Sequence, residues 1–156
     1  MPDDFYIIYK SGESSITKNM VVILDTKDNI IGKDMFLGEY IFDDYYISAE
    51  DLQTIYDYVI KCEITKLDRE EPYKYKNKFH EKGREPNYYY SITINIESTV
   101  YTINFDETIQ FYSTGSFGAP KNMKNLDSFH KYLKEFIQET NEYKNFPEIP
   151  YENRPK

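Results

Sequence analysis

YYYSITINIESTVYTINFDETIQFY, residues Tyr88–Tyr112, alternates apolar and polar side chains more cleanly than any other stretch of the chain. Tyr90, Ile92, Ile94 and Ile96 share one parity, with Ser91, Thr93 and Asn95 between them. Across Glu97-Ser98 the parity switches: Tyr101, Ile103 and Phe105 then point one way and Thr102, Asn104 and Asp106 the other, with Ile109 and Phe111 continuing the set. A period of two is that of a strand with one buried face, so the segment predicts an antiparallel meander. An apolar sheet face must be covered, and two amphipathic helical patterns flank this one.

The first pattern opens at Ser48-Ala-Glu-Asp51, where the Ser48 hydroxyl can accept from the third helical amide and Asp51 supplies the reciprocal carboxylate. At 100° per residue Leu52, Ile55, Tyr56, Val59 and Ile60 fall in one arc, opposite Glu50, Gln53, Thr54, Asp57 and Lys61, which predicts a helix over about 49–62. Burial of each apolar side chain contributes on the order of 1.5–3 kcal/mol, against a few tenths from helix propensity, so the sheet is expected to hold the helix in place. The second pattern predicts a helix over about 123–143, with Leu126, Phe129, Leu133, Phe136 and Ile137 on one side and His130 at the edge of that stripe. Asn145-Phe-Pro147 stops it.

Upstream, Phe5–Tyr9 (FYIIY) reads as a buried strand and Ser11–Lys18 as a polar loop. Met20–Leu24, the turn-rich Asp25-Thr-Lys-Asp-Asn29 and Ile30-Ile31 read as a hairpin, and Met35–Ile47 as one or two further strands. The expected fold class is therefore α+β: a single-domain two-layer sandwich whose mostly antiparallel sheet, built from N-terminal hairpin strands and the 88–112 meander, is covered on one face by two helices. The domain is expected to span 1–146, with a polar excursion at 65–87 and an extended, proline-containing tail at 147–156. A chain of 156 residues can bury roughly 68–70% of its unfolded surface, so no metal or disulfide staple is required.

Charge is spread unevenly. Residues 1–64 carry 13 Asp/Glu against 5 Lys/Arg, about two fifths of the chain with a net charge equal to the total of −8. A field of that sign repels phosphate, so neither nucleic acid nor an anionic membrane surface is expected as a partner. The excursion is the one net-basic part, with 7 Lys/Arg against 5 Asp/Glu. Its first reading is a mobile segment, since long stretches without a period are functional or disordered. The rival reading is single-strand nucleic-acid contact through Lys74, Lys76 and Lys78 interleaved with Tyr73, Tyr75 and Phe79, which the acidic residues among them weaken.

The sequence offers little chemistry. Its two histidines lie fifty residues apart and its single cysteine, Cys62, sits on a helix flank, so no zinc spacing occurs. Ser113–Pro120 has two glycines, but Ala119-Pro120 stands where a phosphate-binding loop needs Lys and Ser/Thr. Asp25–Asn29 lacks the alternating oxygens and closing glutamate of a calcium loop. No catalytic set, metal or cofactor is expected, although a carboxylate pair among 27 acidic residues is open to a hydrolase. One cysteine, an acidic N-terminus and no apolar run near ~18 residues point to a soluble cytoplasmic protein.

A binding role is what the composition leaves. Seventeen tyrosines and no tryptophan, beside abundant Lys, Asn and Ile, match AT-rich codons, so tyrosine number alone is a compositional effect. Their placement is more informative. Glu39, Asp43, Asp44, Tyr45, Tyr46, Glu50, Asp57 and Tyr58 bring carboxylates and phenols into one stretch, the residue types that steer and grip a basic protein partner. The competing reading is a solvated helix face beside core tyrosines. A compact acidic α+β protein without catalytic motifs has the physical character of bacterial immunity proteins, an analogy of class rather than of sequence. A pocket between helix and sheet, serving a small enzyme or a small-molecule-binding domain, is the alternative expectation.

Overall fold

The computed structural model describes residues 1–13, 20–35, 39–67, 88–107 and 121–153. In it the meander supplies β5 (Tyr88–Ile96) and β6 (Thr99–Asp106), antiparallel, with Tyr90 opposite Phe105 and Ile92 opposite Ile103. β1 (Tyr6–Glu13) pairs with the other edge of β5, setting Ile7 beside Ile94 and Tyr9 beside Ile92. β2 (Val21–Asp25), β3 (Ile30–Asp34) and β4 (Tyr40–Asp44) follow outward, giving a six-stranded antiparallel sheet of order β4-β3-β2-β1-β5-β6. The N-terminal run thus becomes a central strand. It extends through Glu13, taking in the first residues of the expected polar loop.

Cross-strand opposition decides which face is buried. Tyr9, Leu24 and Ile31 stand side by side, as do Tyr90 and Phe105, and all are buried with Ile7, Ile92, Ile94 and Ile103 in one core. On the other face Thr93 and Thr102 meet at 3.4 Å in an exposed pair. Two turns fix the register. Asp25 accepts from the amides of Lys27 and Asp28 at 2.9 and 3.0 Å, and Asn29 takes the left-handed φ of 57° that closes the β2–β3 hairpin. Glu97 and Ser98, with φ of 49° and 62°, close β5–β6 as a two-residue loop of the kind that favours Asn-Gly. The Asp4 carboxylate accepts from both of their amides and from the Asn95 side chain, and these bonds, led by that from Ser98, hold its carboxyl below the usual range.

The helices supply the rest of the core. α1 (Ala49–Lys61) starts at Ser48, whose hydroxyl oxygen accepts from the Asp51 amide at 3.0 Å. The reciprocal contact runs from the Ser48 hydroxyl to the Asp51 carboxylate at 2.6 Å; aspartate, one methylene shorter than glutamate, closes the box side chain to side chain. α2 (Lys121–Glu139) lays Met123, Leu126, Phe129, His130, Leu133 and Ile137 into the core. It ends sooner than the periodicity predicts. Thr140 leaves helical geometry (φ −64°, ψ 147°), donates to the Ile137 carbonyl at 2.7 Å and caps a separate short helix, α3 (Asn141–Asn145). A hydroxyl that can bond nearby backbone competes with helix continuation, and here it prevails.

Two expectations about faces are corrected. Ile60, assigned to the apolar arc of α1, is 51% exposed, whereas Cys62 at the helix C-cap is buried with Ile55 and Val59. The arc is rotated because α1 rests on α2 as well as on the core: the Tyr58 ring stacks on Tyr132 with centroids 4.0 Å apart and planes at 1°. His130 is not at the stripe's edge but fully buried. After α1, Ile64–Leu67 forms a 3-10 turn that buries Ile64 and Leu67, so the first residues of the expected excursion belong to the body. The remainder of that excursion, Ile109–Phe111 and the glycine loop Ser113–Pro120 lie outside the described residues. In the tail Tyr151–Asn153 is a 3-10 turn, and Lys33 donates to the Pro147 carbonyl at 2.9 Å while its ammonium lies over the Tyr143 ring. No helix among the described residues is long and apolar enough to cross a membrane.

Candidate functional site

The eight side chains singled out in the sequence occupy four places. Glu39 is exposed at the entry to β4. Asp43 and Asp44, at the far end of that edge strand, are exposed beside Val22, Ile30 and Phe42 in a shallow apolar-floored recess. The Phe42 ring lies so close over Gly32 that a Cβ there would come within 2.8 Å of it and within 2.7 Å of the Val22 carbonyl oxygen, which is why that strand position is glycine. Glu50 and Asp57 stand one above the other on the outer face of α1, Asp57 accepting from Gln53 at 2.8 Å. Tyr58 is half-buried in its stack on Tyr132, with Lys61 over its ring, and so offers an edge rather than a face.

Tyr45 and Tyr46 separate completely. Tyr45 turns inward, buried edge-on to Phe136, and burial first, then the negative charges of Asp51 and Glu142, push its phenol up to about 12. Tyr46 turns outward and is 77% exposed. Between them opens a recess of about 460 Å³, walled on one side by the β4–α1 connection with Asp51 and on the other by the α2–α3 junction with Phe136, Glu139 and Glu142. None of the described residues lining it is basic. Lys144 pairs with Glu139 at 2.6 Å from outside the lining, and both partners are exposed, so water screens that pair.

The fold therefore brings Asp51, from the segment 45–51, to Glu139 and Glu142, about ninety positions away in sequence, while Asp43 and Asp44 line a separate recess. Sequence reasoning found the segment 45–51 and missed the one that holds Glu139 and Glu142. Its available signal was Thr140-Asn-Glu142, a capping residue with an acid two positions on, which announces a new helix start where a continuous helix was expected.

A second concavity lies between sheet and α2, beyond the stretch the sequence emphasised. The Tyr88, Tyr90 and Tyr9 rings form a row, neighbouring centroids 6.5 and 6.3 Å apart and nearly parallel. His130 closes the inner end, its ring 4.4 Å from Tyr90 and 5.1 Å edge-on from Phe105, with Nδ1 3.3 Å from the Tyr9 hydroxyl. Burial, reinforced by Lys134, lowers His130 to about 3, against the smaller opposing pull of Asp127, so the imidazole is neutral at physiological pH. A deep neutral histidine of this kind is structural furniture of the core. Cys62 is likewise buried, its thiol pushed up by desolvation, which argues against a nucleophile. Among the described residues no three His, Cys, Asp or Glu side chains are grouped to hold a metal ion.

No protein-family model matches the chain, and no curated protein is detectably similar to it in sequence. The functional reading rests on these side chains.

Proposed function

We propose that the protein is a stoichiometric binding or inhibitor protein that docks a basic protein partner through the acidic rim around Tyr46. One observation carries the reading: a tyrosine exposed over most of its surface stands over a recess whose described charged lining, Asp51, Glu139 and Glu142, is of one sign. Tyrosine contributes contact area at low entropic cost, and carboxylates pointing outward around it would steer and orient lysines or arginines of a partner. Asp43, Asp44 and Glu50 extend the same sign along the adjoining chain. The inner tyrosine, Tyr45, serves as the anchor of the connection rather than as a contact. The excess of carboxylates and the absence of a motif for turnover support an inhibitory role of the kind immunity proteins play, blocking a cationic active site in the cytoplasm.

The test is capture from a lysate of the source organism on immobilised wild type, Tyr46→Ala and Asp51→Lys/Glu142→Lys. A basic protein held by wild type, released as salt rises, and lost by about tenfold or more in affinity with either variant is the expected result. Retention indifferent to salt and to both variants would overturn the proposal.

A further inference from the structure

The concavity beside the tyrosine row has a volume of about 340 Å³, at the lower end of the range for small-ligand sites. Its sheet wall is aromatic, made by the Tyr9 and Tyr90 rings, and its other wall is the aliphatic side chain of Ile137 with Ile23 below. A cavity lined by aromatic and branched aliphatic side chains suits a small apolar body. One cation reaches it. Lys134, one turn before Ile137 and Gln138 on α2, is half-buried and makes no ion pair or hydrogen bond among the described residues; Lys10, Lys27, Lys61 and Lys124 make no ion pair either, and of these Lys134 is the one that lines the cavity.

Lys134 and Asp34 are the two charged side chains of the described lining, and no ion pair joins them. An anion arriving there would meet a lowered dielectric and a charge-assisted bond. Lys134 is the one cation of the described lining, a point charge rather than a planar fork, which suits a single carboxylate. Asp34, also in the lining, would repel a second negative charge.

We propose that this cavity binds a small planar aromatic monocarboxylate, its carboxylate on Lys134 and its ring along Tyr9 and Tyr90. The assignment does not rest on the docking reading, since the acidic recess and this cavity lie on different sides of the last turn of α2: Phe136 and Glu139 line the first, Ile137 and Gln138 the second.

The experiment is a titration of the full chain, followed by amide chemical shifts, with benzoate, 4-hydroxybenzoate and phenylacetate, each against its amide, and with benzylamine and inorganic phosphate. At least one acid should give saturable shifts centred on Ser11, Tyr90 and Lys134–Gln138, about tenfold or more tighter than its amide or than benzylamine. Lys134→Met should remove that preference, and Ser11→Leu, which narrows the cavity without touching charge, should weaken acid and amide alike. Four results would overturn the proposal: no saturation by any of the acids, equal binding of acid and amide, phosphate shifting the same amides as strongly as the acids do, or full affinity in folded Lys134→Met. The acid-to-amide comparison is made on wild type, so it stands even if a variant does not fold.

Discussion

His130 is where a single proton bears most on stability. Its folded value lies near 3 and its unfolded value near 6.5, so below pH 6.5 the unfolded chain takes up a proton that the folded chain refuses. The groups around it are Lys134, Lys131 and Asp127 on its own helix and the neutral Tyr9 and Tyr90 phenols from the sheet. Stability is whole above pH 6.5 and is lost as pH falls, by about 2 kcal/mol at pH 5, a range in which most carboxylates are still ionised. Urea unfolding of His130→Gln should show a flatter slope between pH 6.5 and 5 than wild type; parallel slopes would show that the imidazole is not buried as described. The Glu97-Ser98 turn invites the opposite kind of change. Both residues sit in left-handed backbone that costs L side chains about 1 kcal/mol or more, so Glu97→Asn/Ser98→Gly should raise the melting temperature, with the Asp4 acceptor retained. The turn's position was legible in the parity switch. Its capping carboxylate was not, because Asp4 is more than ninety positions away and carries no local mark.

α1 shows what periodicity reveals and where it stops. Its start at Ser48, its length and the burial of Ile55 and Val59 follow from a 3.6-residue period and a capping residue, both local properties. Its rotation does not. Tyr56 keeps its place in the arc, edge-on to Phe5, but Ile60 leaves it while Tyr58 is drawn onto Tyr132, which lies on another helix. The rotation has a mutational signature. Ile55→Ala should cost about 2–5 kcal/mol in urea unfolding, since that side chain is fully buried, while Ile60→Ala should cost under about 1 kcal/mol; equal losses would restore the unrotated arc. Val59→Asp should unfold the domain, leaving an unpaired carboxylate in the core. The break at Thr140 is of the same class as the rotation: a period of apolar residues runs through it, and a hydroxyl with a better local partner ends the helix regardless. That break matters more than its size suggests, because it turns Glu142 toward the recess.

For the whole molecule, one layer of sheet and one of helix leave the charged outer rim free of packing duties, and the sequence was sufficient for that architecture because alternation and helical period both name the buried face. The candidate site was half legible. Residues Glu39–Tyr58 advertise themselves by local density of charge and tyrosine, but the fold hides Tyr45, seats Tyr58 on Tyr132 and sends Glu50 and Asp57 to the outside of α1. The other half, Glu139 and Glu142, is joined to them only by tertiary structure. Docking would thus be a property of two segments acting as one surface. Hydrogen exchange of the protein alone and with a basic protein captured in the proposed pull-down addresses that claim most directly. The account predicts slowed exchange at 45–51 and 139–145 together, with the β5–β6 turn unchanged; protection confined to one of the two segments, or centred on the β6 edge, would contradict it.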